Sequence, residues 1–129
     1  MSHFSTVKTE LRDLQSLREA LADLGHDARQ GELQVNGYRG QTVVAQLAVS
    51  QANGSDIGFR WSAESGSYEL VADLDLWQQP VPVERFLARL NQRYALRSIL
   101  SASAAEGFQV AEQSNSVDGT IELVVTRWA

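Results

Sequence analysis

The spacing of leucines near the start of the chain predicts the first helix. Four of them recur three, four and three residues apart and so lie along one side of a helix: Leu14, Leu17, Leu21 and Leu24. Asp13 is a suitable N-cap, and Gly25 stands where a residue in the left-handed conformation ends a helix. We therefore predict a helix over about residues 13–24, preceded by a short strand around residues 3–8.

Beyond this helix the apolar period changes to two, which indicates strands. Between Thr42 and Val49, apolar side chains alternate with a mixed set, and Asn36-Gly37 just before them is a strong signal for a hairpin turn. The polar run over residues 64–67 offers a second turn. The strands predicted in this region lie around residues 32–35, 42–49, 57–62 and 67–73.

The second predicted helix follows two prolines. Pro82 fits the first turn, where its missing N–H costs no hydrogen bond, and Pro80 keeps the lead-in extended. The apolar stripe of this helix consists of Val83, Phe86, Leu87, Leu90 and Tyr94. Three further apolar residues lie off that stripe by up to half a turn: Leu96, Ile99 and Leu100. An unbroken helix as far as residue 105 would span about 36 Å. We therefore expect that it curves, breaks near residues 94–97 or shows a second apolar face to a partner.

The last part of the chain predicts a hairpin and completes the fold. Residues 108–113 and 120–128 have the pattern of strands, with Asp118-Gly119 at the turn between them. The order of elements is then β-α-β-β-β-β-α-β-β. We expect a single α+β domain over residues 1–129, with a mainly antiparallel sheet of about six or seven strands and two helices packed on it.

Composition and charge narrow the classes of protein to consider. The chain has 129 residues, a net charge of −5 and no cysteine. An acidic chain lacks the basic surface that nucleic-acid backbones attract, and a chain without cysteine has neither disulfides nor thiolate sites. It shows no secretory signal and no apolar run of about 20 residues. We therefore expect a soluble cytoplasmic protein with no nucleic-acid partner, no membrane span and no cofactor required for folding.

Seven segments, taken in order and spacing, carry a resemblance to a known family. They are MSHFSTVKTELRDL, LADLG, NGSDIGFRW, YELVADLDLWQQPVPVERFL, NQRYA, EGF and DGTIELVVTRW. Together they resemble the hypothetical chloroplast reading frame thirty-five family, the ycf-type proteins of cyanobacteria and some algal plastids. The resemblance covers nearly the whole chain. It implies a soluble protein linked to photosynthetic physiology, located in the plastid stroma of algal relatives. It implies no catalytic residues, because the family is a domain of unknown function without an established active site.

The histidines and one pair of carboxylates are the first candidates for chemistry. His3, His26 and the neighbouring Asp27 could ligate a metal or transfer a proton, but HxH, HExxH and cysteine partners are missing. Asp73 and Asp75 share a strand face and could act as acid and base. We favour capping or surface histidines and an exposed acidic strand edge that resists aggregation. We therefore predict no metal site, no cofactor and no catalytic residue.

Arginine precedes an aromatic residue three times, at Arg60-Trp61, Arg93-Tyr94 and Arg127-Trp128. Such side chains suit a recognition surface, since Trp, Tyr and Arg are enriched at binding hot spots. The interpretation that we favour instead places Trp61 in the core, with arginines lying over it.

The segment DLWQQPVPVERF, which joins a predicted strand to the second helix, is interpreted mainly as packing. Trp77 can pack on Val83 or Phe86 and fix the angle at which the chain enters the helix, as a hydrophobic staple does. Gln78 and Gln79 can satisfy backbone groups at this corner. A recognition surface at the same place is the alternative.

These observations favour a non-catalytic accessory protein that binds another protein. Catalytic motifs are missing, and the second helix has more apolar residues than one core needs. The predicted interaction surface consists of Trp77, Gln78, Arg93, Leu96, Ile99 and Leu100. Its partner is an unidentified protein or a second copy of the chain, as in a homodimer. The alternative is a small-molecule binder or enzyme with a pocket between sheet and helices, lined by Trp61, Tyr68 and Tyr94.

Overall fold

A computed structural model of the chain describes residues 4–105, 108–115 and 121–127. Within these residues the helices and strands are, in chain order, β1 (Phe4–Lys8), α1 (Leu14–Asp23), β2 (Arg29–Asn36), β3 (Thr42–Ser50), β4 (Asp56–Ser62), β5 (Ser67–Asp73), α2 (Val83–Ala105), β6 (Phe108–Asn115) and β7 (Ile121–Arg127). Two short 3-10 helices, Tyr38–Gly40 and Leu74–Leu76, add to the predicted order. The predicted Asp118-Gly119 turn lies outside the described residues.

Five strands form one antiparallel sheet, in the order β1-β5-β4-β3-β2. In the described chain, β6 and β7 pair with each other as a separate two-stranded antiparallel sheet. The α+β class with antiparallel strands is therefore confirmed, whereas the prediction of one sheet with six or seven strands is wrong. The physical reason is α2, whose 23 residues carry the chain roughly 35 Å along the helix axis. The last hairpin consequently lies against α2.

Both ends of α1 are capped as the sequence predicts. The Asp13 side chain accepts a hydrogen bond of 2.8 Å from the backbone N–H of Ser16. At the other end Gly25 has a φ of 88°, and the backbone N–H of His26 donates to the carbonyl of Leu21 at 2.9 Å. This bond is typical of a Schellman end, which satisfies a carbonyl that the helix leaves free. Local chemistry thus fixes where α1 starts and stops.

The main core lies between one face of the five-stranded sheet and the two helices. Its centre is a row across three strands, in which Leu47, Phe59 and Leu70 are paired side by side and fully buried. Side chains of both helices close over this layer: Leu17, Leu21, Phe86 and Leu90. Burial of each large apolar side chain contributes about 1.5–3 kcal/mol, so this layer provides much of the stabilisation of the fold.

The opposite face of the sheet is partly covered by the β2–β3 hairpin, which forms one edge of the same sheet. Because Phe59 faces the helices, Gly58 faces away from them. Val35 of β2 lies against Gly58, so closely that an added Cβ would stand 2.6 Å from Val35 Cγ2. In a flat sheet, β2 and β4 would be roughly 10 Å apart, since β3 lies between them. The β2–β3 hairpin therefore curls over this face.

The curl brings the two edges of the sheet together at one end. Gly37, which follows the edge strand β2, packs against the ring of Phe4 in β1 at the other edge. The backbone N–H of Asn36 donates to the buried carboxylate of Asp56 at 2.9 Å and fastens the hairpin to β4. A second, smaller core results, in which three residues are fully buried: Val35, Ala45 and Ala48.

The second helix is continuous from Val83 to Ala105. The alternative of a break near residues 94–97 is therefore wrong. In the described part of the chain, no helix combines the length and the apolar character needed to cross a membrane.

Candidate functional site

The six residues of the predicted interaction surface do not form one surface. Trp77 and Gln78 precede α2, whereas Ile99 and Leu100 lie near its other end, with Arg93 and Leu96 between them. Roughly 24 Å of helix separates the start of α2 from Ile99. The contacts of each part therefore decide which of these residues is available to a partner.

Trp77 fixes the entry of the chain into α2. Its ring packs edge-on against Phe86, with 5.2 Å between ring centroids. Its indole N–H donates to the backbone carbonyl of Val81 at 2.8 Å. The predicted packing of Trp77 on Phe86 is confirmed, and both the ring and the N–H of Trp77 are engaged within the chain.

A buried glutamine that the sequence analysis missed organises the same corner. The Gln51 Oε1 accepts from the backbone N–H of Gln78 at 2.7 Å and from Gln79 Nε2 at 3.1 Å. Its Nε2 donates to the carbonyls of Ser55 at 3.3 Å and Leu76 at 3.4 Å. Gln51 follows β3 and precedes a turn, a position where a glutamine is usually exposed. No local signal in the sequence distinguishes it.

Gln78 holds the neighbouring turn. Its Oε1 accepts a hydrogen bond of 2.9 Å from the backbone N–H of Asn53. The Asn53 side chain in turn donates to the carbonyl of Leu76 at 2.8 Å. The prediction that the two glutamines satisfy backbone groups is confirmed for Gln78, whereas Gln79 donates to the side chain of Gln51.

Arg93 is engaged in an ion-pair cluster that joins the two helices. Its Nη2 lies 3.0 Å from Asp23 Oδ2, and the Nε of Arg97 lies 2.8 Å from the same oxygen. The hydrogen bonds from Arg97 are the main cause that holds the pKa of Asp23 below its ordinary value, opposed by burial and assisted by Arg93. The same carboxylate raises the pKa of Arg97. The guanidinium of Arg93 thus serves the α1–α2 contact.

We expect the stability of the protein to depend on pH through Asp23. Because its folded-state pKa lies below the unfolded value of 3.8, the cluster contributes stability that is fully present above that value. This contribution is lost as the pH falls through the folded-state pKa. Asp23→Asn is expected to lower the free energy of unfolding by about 1–2 kcal/mol at neutral pH. The variant should also lose less stability than the wild type as the pH falls, as measured by urea unfolding between about pH 6 and pH 2.

The matched control for this experiment is Asp27→Asn. Asp27 is an exposed carboxylate just beyond the end of α1, so this variant should follow the wild type across the acid limb. If the free energy of unfolding falls equally with decreasing pH in the wild type and in Asp23→Asn, the ion-pair cluster does not stabilise the helix pair.

The three off-stripe residues of α2 differ in their surroundings. Leu96 is only 3% exposed and is buried within the chain, whereas Ile99 is 47% exposed. Leu100 is half-buried and lines a groove between α2 and the start of α1, with Asp13, Ser16 and Arg97 among its neighbours. Of these three residues, only Ile99 is therefore exposed, and Leu100 beside it is half-buried.

The predicted capping or surface role of the histidines can be checked only for His26, because His3 lies outside the described residues. The His26 ring is half-buried against Phe86, with 5.5 Å between ring centroids. Burial lowers the pKa of His26 below its ordinary value and so favours the neutral ring. Within the described residues, no group of three or more His, Asp or Glu side chains is placed to hold a metal ion.

Asp73 and Asp75 are placed differently from the prediction of an exposed acidic edge. Asp73 is 1% exposed, and its Oδ1 accepts from the backbone N–H of Asp75 at 3.1 Å. Asp73 therefore caps the 3-10 helix that follows β5, which is why the prediction is wrong for this residue. Asp75 itself is exposed.

The aromatic residues of the proposed pocket lie near one another without enclosing it. Trp61 is 42% exposed, so the prediction that it belongs to the core is wrong. Strand alternation places Trp61 on the same face as Phe59, but it does not determine how far along β4 the core extends. Its ring packs edge-on against Tyr68, which is buried, with 5.0 Å between centroids. The Tyr94 hydroxyl accepts hydrogen bonds from the backbone N–H groups of Arg12 and Asp13 at 3.1 and 2.9 Å.

A cleft of about 760 Å³ lies beside Tyr94. Its lining is largely polar and includes Lys8, Thr9, Glu10, Arg12, Ser65, Ser67 and Asn91. Trp61 and Tyr68 do not contribute to this lining. Of the three aromatic residues predicted to line one pocket, the cleft therefore contains only Tyr94.

Comparison with known proteins relates the chain to a group without an assigned activity. A sequence profile described as "Protein of unknown function (DUF1257)" matches residues 20–124. A protein of Guillardia theta named "Uncharacterized protein ycf35" is 43% identical over 128 residues, which cover 99% of this chain and 98% of that protein. Proteins of the same name from Pyropia yezoensis and Cyanophora paradoxa are each 38% identical with the same coverage. No solved structure matches the chain significantly.

Proposed function

The chain belongs to the DUF1257 family of proteins of unknown function, and from that premise we propose that it is a non-catalytic accessory protein that binds another protein. The role is linked to photosynthetic physiology and is exercised in the cytoplasm, or in the plastid stroma for algal relatives. Support for this link comes from the distribution that the resemblance implies, in cyanobacteria and algal plastids. A fold alone does not define a function, so the binding role depends on a particular surface.

The single observation that carries the binding role is the exposure of Ile99. Its side chain is 47% exposed on a continuous helix whose other side packs in the core through Phe86 and Leu90. An apolar side chain on a rigid helix is a common anchor in helix-in-groove recognition. The occupant of this surface is another protein or a second copy of the chain.

Ile99→Asp is expected to abolish capture of the partner while leaving the fold intact. A tagged wild-type protein and this variant would be compared by affinity capture from lysate of a photosynthetic host, with partners quantified by mass spectrometry. Replacing Leu100 is avoided, because an aspartate there would face Asp13 across the groove. We expect at least about a tenfold loss of the specific partner, as typical for a central anchor residue.

Asn91→Asp is the matched control for this experiment. It places the same charge at an exposed position of the same helix, about 12 Å from Ile99 along the axis. Its capture should equal that of the wild type. Equal capture by Ile99→Asp would remove the support for a binding surface at this end of α2, and size-exclusion chromatography of both variants distinguishes a second copy from a different protein.

Binding of a small molecule is the second candidate, favoured by the cleft beside Tyr94. Its volume of about 760 Å³ falls within the range of roughly 300–1,000 Å³ that ligand pockets occupy. Hydroxyl groups and two cationic side chains contribute to its lining. The interaction with a protein partner does not require this cleft, so the two candidates are separable.

A further inference from the structure

Four arginines of α2 recur at every fourth residue. Arg85, Arg89, Arg93 and Arg97 therefore follow one another along one side of the helix, where residues four apart are neighbours. The helix contains a single acidic residue, Glu84. On a chain with a net charge of −5, this side of α2 is a local concentration of positive charge.

Among the described residues, a carboxylate binds only half of this series. Asp23, the last residue of α1, binds both Arg93 and Arg97. α1 ends at Asp23, and the chain leaves the axis of α1 at Gly25. Arg85 and Arg89 are exposed, and among the described residues neither forms an ion pair or a hydrogen bond through its side chain. Within the part of the chain that the structure describes, two guanidinium groups of α2 are thus left without a bound carboxylate.

A cavity of about 160 Å³ lies beside Arg89. Its other walls are Leu24, His26, Gln79, Pro80, Val81 and Phe86. This volume is below the roughly 300 Å³ at which small-molecule pockets begin, but about 150 Å³ is enough for a benzene-sized group. The mainly apolar lining and the size suit one apolar side chain.

We propose that Arg85, Arg89 and this cavity form a docking site for an acidic segment of a partner protein, whose carboxylates bind the two guanidinium groups while a nearby apolar side chain enters the cavity. The proposal rests on the proposed function, because the segment belongs to the protein partner. A carboxylate is assigned as the anion because Asp23 binds the next two arginines of the same series through its two oxygens. Arginine favours such forked, charge-assisted hydrogen bonds.

The spacing of the two arginines specifies the spacing of the acidic residues. Four residues of helix rise about 6 Å, and alternate residues of an extended chain lie about 6.6 Å apart. An extended segment with acidic residues at alternate positions therefore matches Arg85 and Arg89. A leucine two residues further along lies on the same side of that segment as the acidic residues, and we assign it to the cavity that Arg89 lines.

The test is a fluorescence anisotropy titration with synthetic peptides. The probe is a fluorescein-labelled peptide with the central sequence Asp-Ser-Asp-Ser-Leu, titrated with the full chain to about 1 mM. Three comparison peptides replace both aspartates with asparagine, the leucine with glycine, or both aspartates with phosphoserine. We expect saturable binding of the probe, and binding weaker by about tenfold or more for the asparagine and glycine peptides.

Variants of the protein assign the binding to the two arginines. Arg85→Gln with Arg89→Gln removes both charges without introducing repulsion, and the expected loss is about tenfold or more in Kd. Arg12→Gln and Arg18→Gln are matched controls at exposed positions and should leave Kd within about twofold. Circular dichroism verifies that each variant retains its helices.

Three outcomes would overturn the proposal. They are an unchanged Kd in the double variant, equal binding of the aspartate and asparagine peptides, and absence of saturation by any peptide. Preference for the phosphoserine peptide over the aspartate probe would overturn the assignment of a carboxylate. Failure of the proposed function is a separate result, because it is measured by partner capture with Ile99→Asp, which leaves Arg85 and Arg89 unchanged.

Discussion

Replacement of Gly58 by alanine is expected to destabilise the protein by about 3 kcal/mol. The new Cβ would stand 2.6 Å from Val35 Cγ2, 3.0 Å from Val71 Cγ2 and 3.2 Å from the Cβ of Ala45. Gly58 lies within β4, where alanine is normally at least as favourable as glycine for the backbone. The cost therefore arises from packing alone, since the β2–β3 hairpin must move away from β4 to admit one methyl group.

The origin of this cost can be checked by urea unfolding of a double-mutant cycle. Val35→Ala removes the methyl group that lies nearest to the added Cβ, so it should relieve part of the conflict in the Gly58→Ala background. We expect the double variant to be more stable than the sum of the single effects predicts, by at least about 1 kcal/mol. Additive effects, or a Gly58→Ala variant as stable as the wild type, would mean that the hairpin is not packed on this face.

Gln51→Leu is expected to destabilise the protein by about 2–4 kcal/mol. Leucine has a similar volume, but it leaves the backbone N–H of Gln78 without its acceptor. It also removes one of two amide donors to the carbonyl of Leu76, which keeps the hydrogen bond from Asn53. Both groups lie at the corner between β5 and α2, so the lost hydrogen bonds also loosen the entry of the chain into α2. Thermal unfolding and hydrogen exchange of the Gln78 amide measure the two effects together.

Gln79→Ala is the matched comparison for Gln51. It removes one hydrogen bond to the same amide, at 3.1 Å, and leaves the other three in place. A loss of about 1 kcal/mol or less is expected. If Gln51→Leu costs no more than Gln79→Ala, the buried amide is not what holds this corner.

The candidate site was predictable only in part. The proline lead-in and the apolar stripe predicted α2, and the position of Trp77 predicted its packing on Phe86. The same pattern also grouped Leu96 with Ile99, although one is buried and the other is exposed. The exposure of each side chain depends on elements that are far away in the sequence. The helical period carries no information about those elements.

The arginine series was visible in the sequence at every fourth residue, yet only the structure divides it into two halves. Arg93 and Arg97 are engaged because α1 ends with Asp23 beside them. Arg85 and Arg89 have no such carboxylate beside them among the described residues, and Arg89 lines the cavity formed with Phe86 and the proline lead-in. Spacing predicts that such side chains share one side of a helix, but it does not predict which of them meet a carboxylate.

The sequence by itself determined the elements of this protein, whereas the tertiary structure decided how two of its surfaces are covered. Three local signals specified α1 and the strands: the apolar period, the Asp13 cap and Gly25. They are local because each acts among residues a few positions apart. The curl of the β2–β3 hairpin over Gly58 and the burial of Gln51 join residues more than twenty positions apart. Such contacts depend on the twist and packing of the whole sheet. The alternation along a strand assigns side chains to two faces, but it does not determine which element packs on each face.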